Sequence, residues 1–194
     1  MLPNLTLPLL ALSFSEMNFL RASRIVLAIL ICAGVCHNTA AQERSAQTNN
    51  QLLESVSVKT DLYSANADAN HEIQDALKRA RNEKKRVLLV FGANWCYDCH
   101  VLDRALHEGD AGKIVNESFL LVHVDIGEGE KNPELVKTYR IPVDKGIPAV
   151  AVLDSAGKLL YSSGDGEFES ARTMFKKDLV VFLKRWASPS TRLE

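Results

Sequence analysis

Apolar residues recur along this chain at two spacings. Ile73, Ala76, Leu77 and Ala80 fall on one face at helical spacing, which predicts a helix from His71 to Lys84 capped by Asn70. Arg86 to Gly92 is a continuous apolar, β-branched run that reads as a buried strand. Val101, Leu102, Ala105 and Leu106 form one apolar arc, so a helix follows that strand closely, and Asp110 to Asn116 continues helically past a break at Gly109. Phe119 to Ile126 is a second buried strand, followed by the loop 127–132 and a short helix from Pro133 to Tyr139, with proline at its favoured first position. Ala149 to Leu153 is a third strand, and Asp154-Ser155-Ala156-Gly157 turns it into a partner over Lys158 to Ser162. Phe168 to Trp186 closes the pattern as an amphipathic helix with Phe175, Leu179, Phe182, Leu183 and Trp186 on one side. Strands joined through helices pair in parallel and a hairpin pairs antiparallel. The order therefore predicts an α/β domain with a mixed central sheet and helices on both faces.

The first 67 residues follow neither spacing. Met17 to Arg24 is short and basic, Ile25 to Cys36 is apolar, and Asn38-Thr39-Ala40-Ala41 offers small residues for cleavage. That three-part order is a secretory signal, expected over residues 1–41 with Met17 as a possible start. Twelve apolar residues fall short of the ~20 a membrane span needs. Ala33-Gly34-Val35-Cys36 loosely fits a lipid-anchor motif, but Val35 is a poor residue before a modified cysteine. Residues 42–67 are polar and rich in Ser, Asn and Gln, as a linker would be, with Val56 and Val58 as a short edge strand within it. A domain over 68–187 and a tail over 188–194 complete the division.

Composition narrows the function. The chain has 194 residues, 46% of them hydrophobic, which suits one domain with a core. A net charge of −1 makes no electrostatic case for nucleic acid or an anionic membrane surface. Two of the four cysteines, Cys32 and Cys36, lie in the signal segment, so the exported chain keeps only Cys96 and Cys99. One close pair suits redox chemistry better than a structural framework.

That pair sits where a strand gives way to a helix N-terminus, whose unpaired N–H groups and partial positive charge favour a thiolate. A cysteine there ionises below its usual value of about 8.5. Cys96, the earlier and more exposed, is the expected attacking sulfur, and Cys99, at the edge of the apolar arc, the resolving one. Asp98 favours the helix N-terminus but opposes a neighbouring thiolate, and that balance stays open. Cys96 to His100 also satisfies the Cys-x-x-Cys-His pattern of c-type haem attachment. His100, Asp103 and His107 share a helical face near Cys96, a spacing that can converge on zinc, though a solvated polar face is the commoner outcome and no metal is expected. His123, in a buried strand, reads as a satisfied core histidine.

Strand, Trp-Cys-x-x-Cys, helix and a later Gly146-Ile147-Pro148-Ala149-Val150 together resemble the thioredoxin superfamily over roughly residues 68–187. More narrowly the chain is similar to secreted or periplasmic bacterial thioredoxin-like proteins, including the thioredoxin-like domain of transmembrane thiol-disulfide interchange proteins. The resemblance implies a thioredoxin fold and thiol-disulfide exchange with protein substrates, in the reducing direction, without a cofactor. With the signal pattern, an exported protein is expected, acting as a monomer, and reducing work calls for a membrane thiol-disulfide donor. Pro148 matches the family's cis-proline, and the backbone of Ile147 is placed to pair with an extended substrate. Trp95 shapes the contact surface, and Tyr97 is an exposed aromatic available to a partner. The buried acid and the lysine usual in thioredoxins are replaced by Val90 and Leu121, which leaves Asp103, one turn after Cys99, to manage the proton of that cysteine. Otherwise Asp103 would pair on the surface with Arg104 or Lys84. A thioredoxin-fold module that holds clients without redox chemistry is the remaining alternative.

Overall fold

The computed structural model describes residues 51–58, 61–64 and 66–187. The predicted signal segment, the polar stretch through residue 50 and the tail lie outside these residues.

Helix α1 spans Ala69–Glu83, and strand β1 spans Arg86–Gly92. Helices α2 (Tyr97–His107) and α3 (Gly109–Ser118) precede β2 (Phe119–Asp125). The short α4 (Pro133–Thr138), β3 (Ala149–Leu153), β4 (Leu159–Ser162) and α5 (Lys176–Trp186) follow. The strands form one sheet in the order β2-β1-β3-β4. β1 and β2 are parallel, while β3 runs antiparallel to both β1 and β4. The result is the mixed sheet with helices on both faces that the pattern implies.

Strand alternation divides the interior into two cores. Val87, Leu89 and Phe91 of β1 join Ala149, Ala151 and Leu153 of β3 on one face, under Ile73, Leu77 and Ala80 of α1. Leu88, Val90, Val150 and Val152 point the other way, against Leu102 and Leu106 of α2 and Leu179 and Leu183 of α5. Each buried aliphatic side chain contributes about 1.5–3 kcal/mol. β1, the central strand, is buried on both faces, which is why it reads as a continuous apolar run.

Four expectations need correction. Asp68, not Asn70, caps α1: its Oδ1 accepts from the His71 amide at 3.0 Å. A carboxylate satisfies an unpaired N–H and also complements the helix dipole. The closing helix is not continuous from Phe168. A 3₁₀ turn at Ala171–Thr173 comes first, and Phe175 is extended (φ −78°, ψ 142°) before α5 begins. Phe175 leaves the helical path because it forms an isolated bridge with Leu52, flanked by Leu53 N–H to Met174 O (2.9 Å) and Lys176 N–H to Gln51 O (2.7 Å). The same pairing places the β contact at Leu52 rather than at Val56 and Val58. The stretch read as a linker is also not wholly solvated: Leu53 and Tyr63 are both buried, Leu53 in the α5-side core and Tyr63 against the two cysteines.

Candidate active site

The chain leaves the C-terminal end of β1 at Gly92 and turns directly into α2, with Cys96 as the helix cap. Cys96 is extended (φ −77°, ψ 106°), and its Sγ accepts from the Cys99 amide at 3.1 Å, the role a serine or aspartate oxygen usually fills. A disulfide joins Cys96 to Cys99, with Cα atoms 5.3 Å apart. Both cysteines are buried, Cys99 the more completely (0% against 4% exposed). Cys96 Sγ lies 3.6 Å from the carbonyl oxygen of Ile147. A disulfide sulfur has no proton to donate, so this is a contact in the oxidised pair and a hydrogen-bond site for a reduced thiol. The Ile147–Pro148 peptide bond is cis.

Trp95 stands at the rim, 58% exposed, its Nε1–H donating to Gly127 O at 3.0 Å. Tyr97 is half-buried rather than exposed, and the Arg172 guanidinium lies 5.0 Å from its ring centroid. Ile147 is half-buried and Pro148 buried. Ile147 thus lies against Cys96, and the exposed Trp95 directly precedes that cysteine.

Arg172 decides the balance at Asp98. Asp98 Oδ1 accepts from the Arg172 amide at 2.8 Å and from its Nε at 3.0 Å, while Oδ2 accepts from Nε at 3.0 Å and from Nη2. Burial pushes the Asp98 carboxyl up, but the hydrogen bonds and charge of Arg172 outweigh it and hold the group below its ordinary value. The negative charge between the cysteines is therefore met by a guanidinium. This pairing also ties the start of α2 to the 3₁₀ turn.

Asp103 faces neither Arg104 nor Lys84. Its Oδ1 lies 3.0 Å from His123 Nε2 and 3.3 Å from His107 Nδ1. A ring nitrogen against a carboxylate carries the proton, which fixes the His123 tautomer. Burial raises the Asp103 carboxyl, but the two histidines more than offset this and hold it far below the usual carboxylate range. In this geometry the Asp103 charge faces the ring N–H of His123. His123 is partly exposed and hydrogen-bonded, not sealed in the core.

His100 is buried and its Nε2 lies 2.8 Å from the Asn94 carbonyl. Haem attachment would take both sulfurs as thioethers and His100 Nε2 for iron. Here the two sulfurs bond each other and the His100 ring nitrogen is held by backbone. Among the described residues, no group of three His, Cys, Asp or Glu is placed to hold a metal ion.

Sequence reasoning missed Tyr63, Asn94 and Arg172. Asn94 clamps Tyr63 by two hydrogen bonds, accepting from its N–H at 2.8 Å and donating to its carbonyl at 2.7 Å. Tyr63 packs with Cys96 and Cys99, and its ring meets that of His123 edge-on at 5.4 Å. Its one sequence signal was an aromatic beside Leu62 in an otherwise polar stretch.

The parallel–antiparallel sheet, the disulfide at a helix start and the cis-proline beside it define a thioredoxin-fold domain with a redox-capable cysteine pair. Comparison places it further. Residues 68–155 match a family model described as Thioredoxin-like. The crystal structure of a disulphide isomerase from Xylella fastidiosa Temecula1 is 37% identical, with a TM-score of 0.60 over 64% of this chain and 95% of that one. The thiol:disulfide interchange protein DsbD of Pseudomonas fluorescens is 31% identical over 120 residues, 59% of this chain and 18% of its own length. Spermatogenesis-associated protein 20 of Mus musculus is 31% identical over 67 residues, 34% of this chain and 8% of its own length. The chain thus spans less than a fifth of the length of these two curated relatives. It belongs to the thioredoxin-like family.

Proposed function

We propose that this protein is an exported thiol-disulfide oxidoreductase that reduces disulfides in protein substrates. The observation that carries the reading is the Cys96–Cys99 disulfide at the start of α2, with Cys96 as helix cap beside Ile147 and Pro148. In the reduced pair, the Cys96 thiolate attacks one sulfur of a substrate disulfide. A Cys96–substrate bond forms, and the other substrate sulfur leaves as thiolate and takes a proton. Cys99 then attacks Cys96 Sγ, the mixed disulfide breaks, and the second substrate sulfur leaves. The substrate gains two electrons and the pair returns to the disulfide. A thiol-disulfide donor in the membrane restores the dithiol.

Each neighbouring residue has a role in this scheme. The helix N-terminus stabilises the Cys96 thiolate, and Arg172 removes the opposition of Asp98. Trp95 and Tyr97 offer aromatic surface to the substrate chain. The Ile147 carbonyl, beside Cys96, is the backbone position against which an extended substrate pairs. Asp103 acts through His123 on the resolving side. Export rests on the signal pattern over residues 1–41, and the reducing direction on the Trp-Cys start that the reducing members of the superfamily share.

The test is equilibration of the purified protein with glutathione or dithiothreitol buffers. A potential near that of thioredoxin, about −270 mV, is expected. A value near −120 mV would make the protein an oxidant and reverse the direction. Cys96→Ser is expected to abolish substrate reduction; full function in that variant would favour a client-holding module instead.

A further inference from the structure

Tyr63 is 1% exposed, and its hydroxyl is one of two buried side-chain polar atoms among the described residues with no hydrogen-bond partner. Leaving a buried hydroxyl unsatisfied costs about 1–3 kcal/mol, so its position calls for a physical reason. The hydroxyl points at the cysteine pair. A Cβ placed on Gly92 would stand 2.2 Å from Tyr63 Oη and 2.7 Å from Cys99 Sγ, so oxygen and sulfur are no more than about 5 Å apart. The two-point clamp from Asn94 fixes the tyrosine backbone there, and Asn94 is held in turn by His100, the residue after Cys99. This arrangement is costly while the disulfide is closed, because a disulfide sulfur is a weak acceptor.

Reduction changes the acceptor. When a dithiol donor passes two electrons to the pair, the S–S bond breaks and Cys99 Sγ becomes a thiol or thiolate, free to rotate away from Cys96. We propose that the Tyr63 hydroxyl then donates a hydrogen bond to Cys99 Sγ, making Tyr63 a positioning residue that selectively stabilises the reduced pair and the resolving thiolate. The inference rests on the oxidoreductase reading above.

The surrounding charges leave this task to Tyr63. On the helix of Cys99, Asp98 is engaged by Arg172, and Asp103 by His123 and His107. From β2, His123 is taken up by Asp103, and Asp125 accepts from Lys131 Nζ at 2.7 Å and the Gly127 amide at 2.9 Å. Burial, with Asp103 and Asp125 nearby, pushes the Tyr63 phenol far above its ordinary value of 10.0, so it stays protonated and is a donor at any working pH.

The test is Tyr63→Phe, which keeps the ring and removes the hydroxyl. A hydrogen bond to an anionic sulfur shifts the dithiol–disulfide equilibrium by about tenfold. In glutathione buffers the variant is therefore expected to be about tenfold harder to reduce, a shift of about 30 mV toward the reducing end. In a Cys96→Ser background, Cys99 is expected to ionise at higher pH when Tyr63 is also Phe, read by thiolate absorbance. Stability separates this from a structural role. The oxidised variant is expected to be as stable as wild type or more so, and the reduced variant less stable, whereas simple packing loss lowers both. Equal glutathione equilibria and equal Cys99 titrations in the two proteins overturn the inference. If the wild-type pair itself fails to titrate with glutathione, the oxidoreductase reading falls, and the Cys99 titration still decides the hydrogen bond.

Discussion

Gly92→Ala tests how tightly the end of β1 is closed over the cysteine pair. Gly92 is not in the left-handed region, so the backbone accepts alanine, and loss of glycine's freedom in the unfolded chain would by itself stabilise by about 0.4–1 kcal/mol. Space opposes it. The new Cβ would stand 2.2 Å from Tyr63 Oη and 2.7 Å from both Tyr63 Cζ and Cys99 Sγ. Neither neighbour can yield cheaply: Tyr63 is buried and clamped by Asn94, and Cys99 is buried and tied to Cys96. Overpacking a rigid site costs about 1–3 kcal/mol, so the steric loss wins and the oxidised protein should lose about 1–2 kcal/mol. In the reduced protein Cys99 Sγ can rotate away, and the loss should be smaller. Tyr63→Phe removes the closest contact but leaves Cζ in place, so combining it with Gly92→Ala should recover part of the loss and not all, a coupling of about 0.5–1 kcal/mol. Urea unfolding of wild type, both single variants and the double variant, oxidised and reduced, measures each quantity. An oxidised Gly92→Ala within 0.5 kcal/mol of wild type, or a reduced form hit equally hard, would refute the packing argument.

Two further substitutions address the carboxylates. Folding lowers the Asp103 carboxyl from its ordinary 3.8, so the folded state favours the ionised form. That contribution is fully present above about pH 4, and is lost as pH falls below the unfolded value toward the folded one. Unfolding titrations should show Asp103→Asn less stable than wild type at pH 5, with the margin narrowing below pH 4. A margin independent of pH down to pH 2 would mean the pairing with His123 contributes through shape alone. Arg172→Gln leaves the Asp98 charge unopposed beside Cys96, and alkylation of reduced Cys96 at pH 7 should slow by about threefold to tenfold. Adding Asp98→Asn should restore the rate; a rate unchanged by Arg172→Gln would show that Asp98 never reached the thiolate.

What could be read from the chain, and what could not, divides by the range of the interactions. β1, β2 and β3 are buried runs bounded by glycine or turn residues, and α1 carries its periodicity on its own surface, so each announces itself locally. The cysteine pair at the start of α2 is local in the same sense. The break between the 3₁₀ turn and α5 is not, because its cause is Leu52, more than 120 residues away, drawing Phe175 into an extended bridge. No period in residues 168–186 encodes that. The partner of Asp98 was equally hidden: Arg172 lies 74 residues on, in a polar stretch where one arginine looks like another. Asn94 and Tyr63 meet across 31 residues through a backbone clamp that leaves no pattern in either segment.

The long-range contacts share one consequence at the cysteine pair. A helix N-terminus favours a thiolate, but α2 carries two carboxylates close to its cysteines, at Asp98 and Asp103, and unopposed they would work against that effect. Each is met by a cation or a ring N–H from elsewhere in the chain, Arg172 from the 3₁₀ turn and His123 from β2. The carboxylates are thereby converted from charges that oppose ionisation into anchors, one fixing the start of α2 against the turn and the other fixing α2 against the sheet. The same two residues that make the local sequence look unfavourable for a reactive cysteine hold the helix in the place where its N-terminus can act on one.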